Sequence, residues 1–145
     1  MKEKHVIAYS KTALNFAECS TARRLKVGAI CVKDDKIISI GYNGTPSGWS
    51  NECEEKVNGT LKTKSFVIHA EANCIAKLAK SGGGANESIM FCTHSPCIEC
   101  AKLIATSGIQ KVYYITPYRS EDGINFLKEC GVSVECVPII DRILN

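Results

Sequence analysis

Two short segments of this chain carry one imidazole and two thiols in an order that could do chemistry: His69-Ala70-Glu71, then Pro96-Cys97-Ile98-Glu99-Cys100. His69, Cys97 and Cys100 can fill three corners of a zinc tetrahedron and leave the fourth to water, the plan of a catalytic rather than a structural site. Two thiolates and a neutral imidazole balance the charge of Zn2+. Zinc lowers the pKa of a bound water from about 16 to about 7, so hydroxide would be at hand near neutral pH. Glu71 is not needed to hold the metal and can carry protons, a role that typically contributes on the order of 100- to 10,000-fold. Alone, Cys-x-x-Cys also fits a redox pair or half of a structural zinc site, and His-x-Glu is common by chance. Their joint occurrence, each at the start of a helical pattern, is what carries weight.

Those patterns come from the elements that must position the site. Val6, Ile7, Tyr9, Ala13, Leu14 and Ala17 recur at helical spacing, which predicts a helix over 3–19. The β-branched runs 27–33 and 36–43, separated by Asp34-Asp35, predict a hairpin. Residues 44–63 are polar and aperiodic, and a loop of that length usually means function or mobility. Helices are predicted over 70–80, stopped by Gly82-Gly83-Gly84, over 97–108, ended by Gly108, and over 124–131. Strands are predicted over 88–94, 111–116 and 132–137. Pro96 suits a first helical turn, where its missing N–H would be unpaired anyway. Cys97 would then lie where free amides and the helix dipole favour a thiolate. Cys97 and Cys100, three apart, share a face. Strand and helix alternation in the second half predicts a mixed sheet between helices, its first two strands antiparallel and the later ones parallel.

The chain of 145 residues is read as one domain over 1–145, with no repeat or linker. Its formal charge of +3 falls short of a nucleic-acid-binding surface. Trp49, Tyr113 and Tyr114 form no stacking stripe for single strands, so packing is expected of them. Nine cysteines are many, but the number is odd and several sit in apolar runs. Cys19, Cys31, Cys74, Cys92, Cys130 and Cys136 are expected as buried small hydrophobes. The first residues, MKEKHVIAYS, lack an apolar stretch of signal-peptide or membrane-spanning length. Reduced thiols in a cytoplasmic protein are therefore expected, with no membrane partner.

His-x-Glu followed by Pro-Cys-x-x-Cys is the pattern of zinc-dependent base deaminases. HAEANCIA, THSPCIECA and GYNGTPSG together resemble the deoxycytidylate (dCMP) deaminases of the cytidine deaminase-like superfamily. The similarity spans nearly the whole chain, least over 50–66. The first two segments alone also fit nucleoside, guanine, riboflavin-pathway and tRNA adenosine deaminases; the GYNG segment and Tyr118-Arg119 narrow the choice. The resemblance implies a three-layer α/β/α sandwich around a mixed five-stranded sheet, and hydrolysis of dCMP to dUMP and ammonia for thymidylate synthesis. It places one Zn2+ per chain on His69, Cys97 and Cys100, and the proton shuttle on Glu71.

Asn43 takes the position of the residue that bonds the deoxyribose, its bland role being the turn Asn43-Gly44. Arg24 and Tyr118 resemble phosphate-contacting positions, Arg24 with a bidentate fork. Thr21 and Ala70 complete the substrate contacts, and Ser20 could add a hydroxyl. The bland account of Arg23, Arg24 and Lys26 is a solvated cluster at a helix end. His94 is expected to line the pocket, and Glu99 to face solvent. The resemblance further implies a homohexamer, activated by dCTP with Mg2+ and inhibited by dTTP. Its effector loop would hold Gly41, Tyr42, Asn43, Gly44 and Gly48, whose glycines let backbone amides approach phosphates or merely serve turn dihedrals. Cys19 and Cys53 alone make no second zinc site. The rival readings are a deaminase of another free base or nucleoside, a tRNA adenosine deaminase, and a non-catalytic zinc or nucleotide module.

Overall fold

A computed structural model describes residues 1–138; residues 139–145 of the expected domain lie outside the described ones. Helix α1 covers Glu3–Ala17, and strands β1 (Gly28–Lys33) and β2 (Lys36–Tyr42) follow as an antiparallel pair. Asp34 and Asp35 both have positive φ, 50° and 60°, the conformation a two-residue hairpin turn needs to match strand twist. Next come β3 (Glu54–Val57), β4 (Thr60–Thr63), α2 (Ala70–Lys80), β5 (Ile89–His94) and α3 (Ile98–Thr106). Strand β6 (Lys111–Thr116), α4 (Asp122–Glu129) and β7 (Ser133–Cys136) end the described fold.

The main sheet has five strands in the order β2-β1-β5-β6-β7. Strand β1 is antiparallel to both neighbours, while β5, β6 and β7 run parallel, as the helical crossovers between them require. Alternate residues feed two cores. Ile30, Val32, Phe91, Tyr113 and Ile115 pack with Val6 and Ala13 of α1 on one face. Ala29, Cys31, Met90, Cys92 and Val112 pack with α2, α3 and α4 through Cys74, Leu78, Ala101, Ile104 and Leu127 on the other. That is the expected three-layer α/β/α arrangement around a mixed five-stranded sheet.

The structure departs from the sequence reading at several places. The stretch 44–63 is no featureless loop, since β3 and β4 form a separate antiparallel hairpin. Its turn is Asn58-Gly59, both at positive φ, a dipeptide that signals a hairpin even between polar strands. Cys31, Cys74 and Cys92 are buried, but Cys19, Cys130 and Cys136 are exposed. Cys19 lies just beyond the end of α1, Cys130 caps the end of α4, and Cys136 is on the edge strand β7, where an apolar run does not guarantee cover. Tyr113 stacks on Phe91, with ring centroids 5.0 Å apart, whereas Trp49 is 56% exposed and leans on Phe66. Among the described residues no helix is long and apolar enough to cross a membrane.

The close seating of α2 on the sheet bears on the site, because α2 starts beside His69. Gly41 permits it: a Cβ there would land on the Ala70 carbonyl oxygen and 2.6 Å from the Cys74 amide nitrogen. Both are backbone atoms that cannot swing aside. Gly41→Ala should therefore destabilise the fold by about 1–3 kcal/mol, the usual range for overpacking. Urea denaturation measures this, and an unchanged midpoint would contradict the close contact.

Candidate active site

His69 and Cys97 occupy equivalent places, each an extended residue capping the N-terminus of a helix. Their carbonyls accept the first helical hydrogen bonds, from Asn73 N (2.9 Å) and Ala101 N (2.8 Å). Cys97 thus stands just before α3 rather than in its first turn, and Pro96 precedes the cap, a shift of one residue from the sequence expectation. Cys100 sits one turn on, so both thiols point to the same side. Helix α4 fixes this corner: a Cβ at Gly123 would lie 3.0 Å from the Cys97 carbonyl carbon, so α4 rests on the backbone that carries the first thiol.

These placements bring the donor atoms of His69, Cys97 and Cys100 within 4.8 Å of one another. His69 Nδ1 lies 3.6 Å from Cys97 Sγ and 3.4 Å from Cys100 Sγ. A tetrahedral zinc with ordinary Zn–N and Zn–S bonds sets its N and S ligands about 3.5 Å apart. The donor set and its spacing therefore fit Zn2+. Among the described residues this is the group of three or more His, Cys, Asp or Glu side chains placed for a metal. Cys97 is pulled down to about 3 by hydrogen bonds from Cys100 and His69, against the opposing effect of burial. Cys100 is pushed up because its thiol hydrogen bonds to Cys97 and is itself buried.

Glu71, 5% exposed in the first turn of α2, stands beside this cluster. Burial raises its carboxyl above the usual range, and its own backbone amide and the Cys100 side chain offset only part of that. A carboxyl that holds its proton more tightly than in water is suited to accept and return one near neutral pH.

A cavity of about 410 Å3 opens onto these groups. His69, Ala70, Glu71 and Cys97 line it together with Arg24, Asn43 and Tyr118, so most of the residues singled out in the sequence meet. Thr21 does not line it; its hydroxyl donates to the Asn51 carbonyl, 2.7 Å away. Gly41, Tyr42, Gly44 and Gly48 also lie outside the lining. Asn43 Oδ1 accepts from Val27 N and Nδ2 donates to Leu25 O, both at 2.8 Å, so this side chain staples the lead into β1. One N–H and one lone pair remain for a ligand. The Ser20 hydroxyl is spent on the Asn43 carbonyl.

Tyr118 presents its ring at the rim, with the Arg119 guanidinium 5.9 Å above it, and its backbone amide donates to Ser95 Oγ at 2.7 Å. His94 lines the cavity as expected, tied to Thr93 Oγ1 at 2.9 Å; burial lowers its affinity for a proton, which favours neutral imidazole. Glu99 is exposed and pairs with Lys102 on its own helix.

Three polar lining residues escaped the sequence reading: Glu54, Thr63 and Ser95. Ser95, inside the Thr-His-Ser-Pro-Cys run, was within reach of it. Glu54 and Thr63 carry no local signal, because their partners lie 30 or more residues away in the chain.

The comparisons with known proteins agree with this geometry. The model of the family described as cytidine and deoxycytidylate deaminase zinc-binding region matches residues 3–116. The chain is similar to the crystal structure of the dCMP deaminase of cyanophage S-TIM5 in complex with dCMP and dUMP. That match has 48% identity and a TM-score of 0.89, and covers 94% of this chain and 99% of that one. It is 35% identical to ComE operon protein 2 of Bacillus subtilis, over 87% of this chain and 67% of the relative. It is 33% identical to the deoxycytidylate deaminase of Enterobacteria phage T4, with 78% and 79% covered.

Metal analysis of the purified protein should find one zinc per chain. His69→Ala and Cys100→Ala should each weaken binding at least as much as the roughly 10- to 100-fold that outer-shell changes cost. Either variant holding zinc as tightly as the parent would overturn the assignment.

Proposed function

The chain belongs to the cytidine and deoxycytidylate deaminase zinc-binding family, and from that premise we propose that it hydrolyses dCMP to dUMP and ammonia. The observation that carries this reading is the composition of one cavity. His69 and Cys97 of the metal-ligand cluster and Glu71 share it with an arginine, a tyrosine and an asparagine able to hold a nucleoside monophosphate. Its volume falls in the ordinary range for small-molecule sites, about 300–1,000 Å3. The similarity to a dCMP deaminase in complex with dCMP and dUMP supports the choice of base and phosphate.

Zinc, when bound by His69, Cys97 and Cys100, supplies a Lewis acid that makes water nucleophilic near neutral pH. Glu71 takes the proton of that water and delivers it to ring nitrogen N3 of cytosine. With the water oxygen bonded to C4, Glu71 takes the remaining proton of that hydroxyl and gives it to the C4 amine, because neutral ammonia leaves and an amide anion does not. One water is consumed and one ammonia released, so the ring gains the carbonyl of uracil. The free N–H and lone pair of Asn43 face the deoxyribose, the Arg24 guanidinium and Tyr118 hydroxyl take the phosphate, and Ala70 packs beside the base. Thr21 contributes indirectly, by bracing the loop before Arg24 against Asn51.

The same reading takes residues 1–145 as one deaminase domain, and gives the enzyme a cytoplasmic setting and a place in supplying dUMP for thymidylate synthesis. It also includes homohexamer assembly, activation by dCTP with Mg2+ and inhibition by dTTP. Within the loop from Gly41 to Gly48, packing against α2 already accounts for Gly41. The Gly44 amide already donates to the Ile68 carbonyl at 3.1 Å, which leaves exposed Gly48, with open space around it, as the loop glycine a triphosphate would approach.

Ammonia release from dCMP, cytidine and a tRNA, with and without dCTP or dTTP, tests these points together. Turnover should favour dCMP and be absent on tRNA, and dCTP should turn a sigmoidal rate curve hyperbolic. Efficient turnover of cytidine or tRNA would refute the substrate, and hyperbolic kinetics indifferent to both triphosphates would refute the regulation. Glu71→Gln should retain zinc and lose about 100- to 10,000-fold in kcat.

A further inference from the structure

Glu54 is a charged residue that the chemistry above does not use, yet its side chain is only 1% exposed. It belongs to β3, in the hairpin that stands apart from the main sheet. Its two carboxylate oxygens accept the backbone N–H of Arg23 at 2.8 and 3.0 Å, and one also lies 3.4 Å from the Arg24 amide nitrogen. The Arg23 guanidinium stands 3.7 Å away. Directly across the hairpin, Thr63 of β4 is the register partner of Glu54. Its hydroxyl oxygen accepts a hydrogen bond from Arg24 Nη1 at 3.2 Å. Arg24 is thus held at both ends by one pair of facing residues, its backbone by Glu54 and its guanidinium by Thr63.

An arginine side chain free in solvent loses rotamer entropy when it is fixed on a ligand. Holding it beforehand removes part of that cost from binding. We propose that the β3–β4 hairpin is a phosphate-positioning device, in which Glu54 and Thr63 preset Arg24 and so determine preference for the 5′-monophosphate over the bare nucleoside. Neither residue need touch substrate; both act through Arg24. The inference rests on the reading of Arg24 as the phosphate contact.

The readout is the ratio of kcat/KM for dCMP to that for deoxycytidine, which lacks the phosphate. Glu54→Gln places an amide donor against backbone donors and leaves one oxygen where two served. Thr63→Val keeps the shape and removes the acceptor. Either change should lower the ratio about tenfold, a size in line with losing a hydrogen bond to a charged group. The dCMP loss should fall mainly in KM, and Thr63→Ser should restore the ratio. A merely structural role would reduce both substrates together and leave the ratio unmoved, which would overturn the proposal. Thr63→Val decides the matter alone if Glu54→Gln does not fold. Arg24→Ala, measured alongside, separates the two levels. An unchanged ratio there refutes the phosphate contact itself, whereas a fall there without one in the hairpin variants refutes only the hairpin's role.

Discussion

Two helix N-termini meeting at one point govern this molecule. His69 at the head of α2 and Cys97 at the head of α3 come from segments far apart in sequence, yet their donor atoms stand 3.6 Å apart. The sheet makes this possible by presenting β5 beside β1, so that both helices start near the same end of the layer. Small or absent side chains then let the pieces close up: Gly41 under α2 and Gly123 against the backbone of Cys97. The free amides and dipole of a helix start favour anionic groups, which here are a thiolate and the Glu71 carboxylate. Burial works in the opposite sense on Glu71, and the balance leaves a carboxyl with raised proton affinity next to a metal-ligand set.

Most of that centre was legible in the sequence because its spacing is local. Cys97 and Cys100 are three residues apart, so helical geometry alone predicts a shared face, whereas His69 and Glu71, two apart, were legible from their residue types at the start of a helical pattern. The central strands were legible for a similar reason: buried parallel strands read as continuous apolar runs, as in 111–116. The structure puts Arg24, Asn43 and Tyr118 on the same cavity as the cluster, as the resemblance implied.

The second hairpin was not read, although Asn58-Gly59 marks its turn. Its strands EEKV and TLKT are mostly exposed and show no apolar alternation, the usual sign of a strand. The grip of Glu54 on Arg23 and Arg24 is a long-range contact between polar residues, and nothing in local pattern separates a buried glutamate from a solvated one. The exposed Cys19, Cys130 and Cys136 show the converse error, in which composition suggested burial that position in the fold denies. Rigid and irregular parts share the work here: the helix starts and sheet hold the reacting end of the cavity, and the loop after α1 with the hairpin frames the part lined by Arg24.

X-ray absorption at the zinc edge of the purified protein reads the metal's ligand shell itself. His69, Cys97 and Cys100 should give two sulfurs at about 2.3 Å and two lighter atoms at about 2.0–2.1 Å, one from imidazole and one from an exchangeable ligand. A shell of four sulfurs, or one with no sulfur at all, would contradict that ligand set.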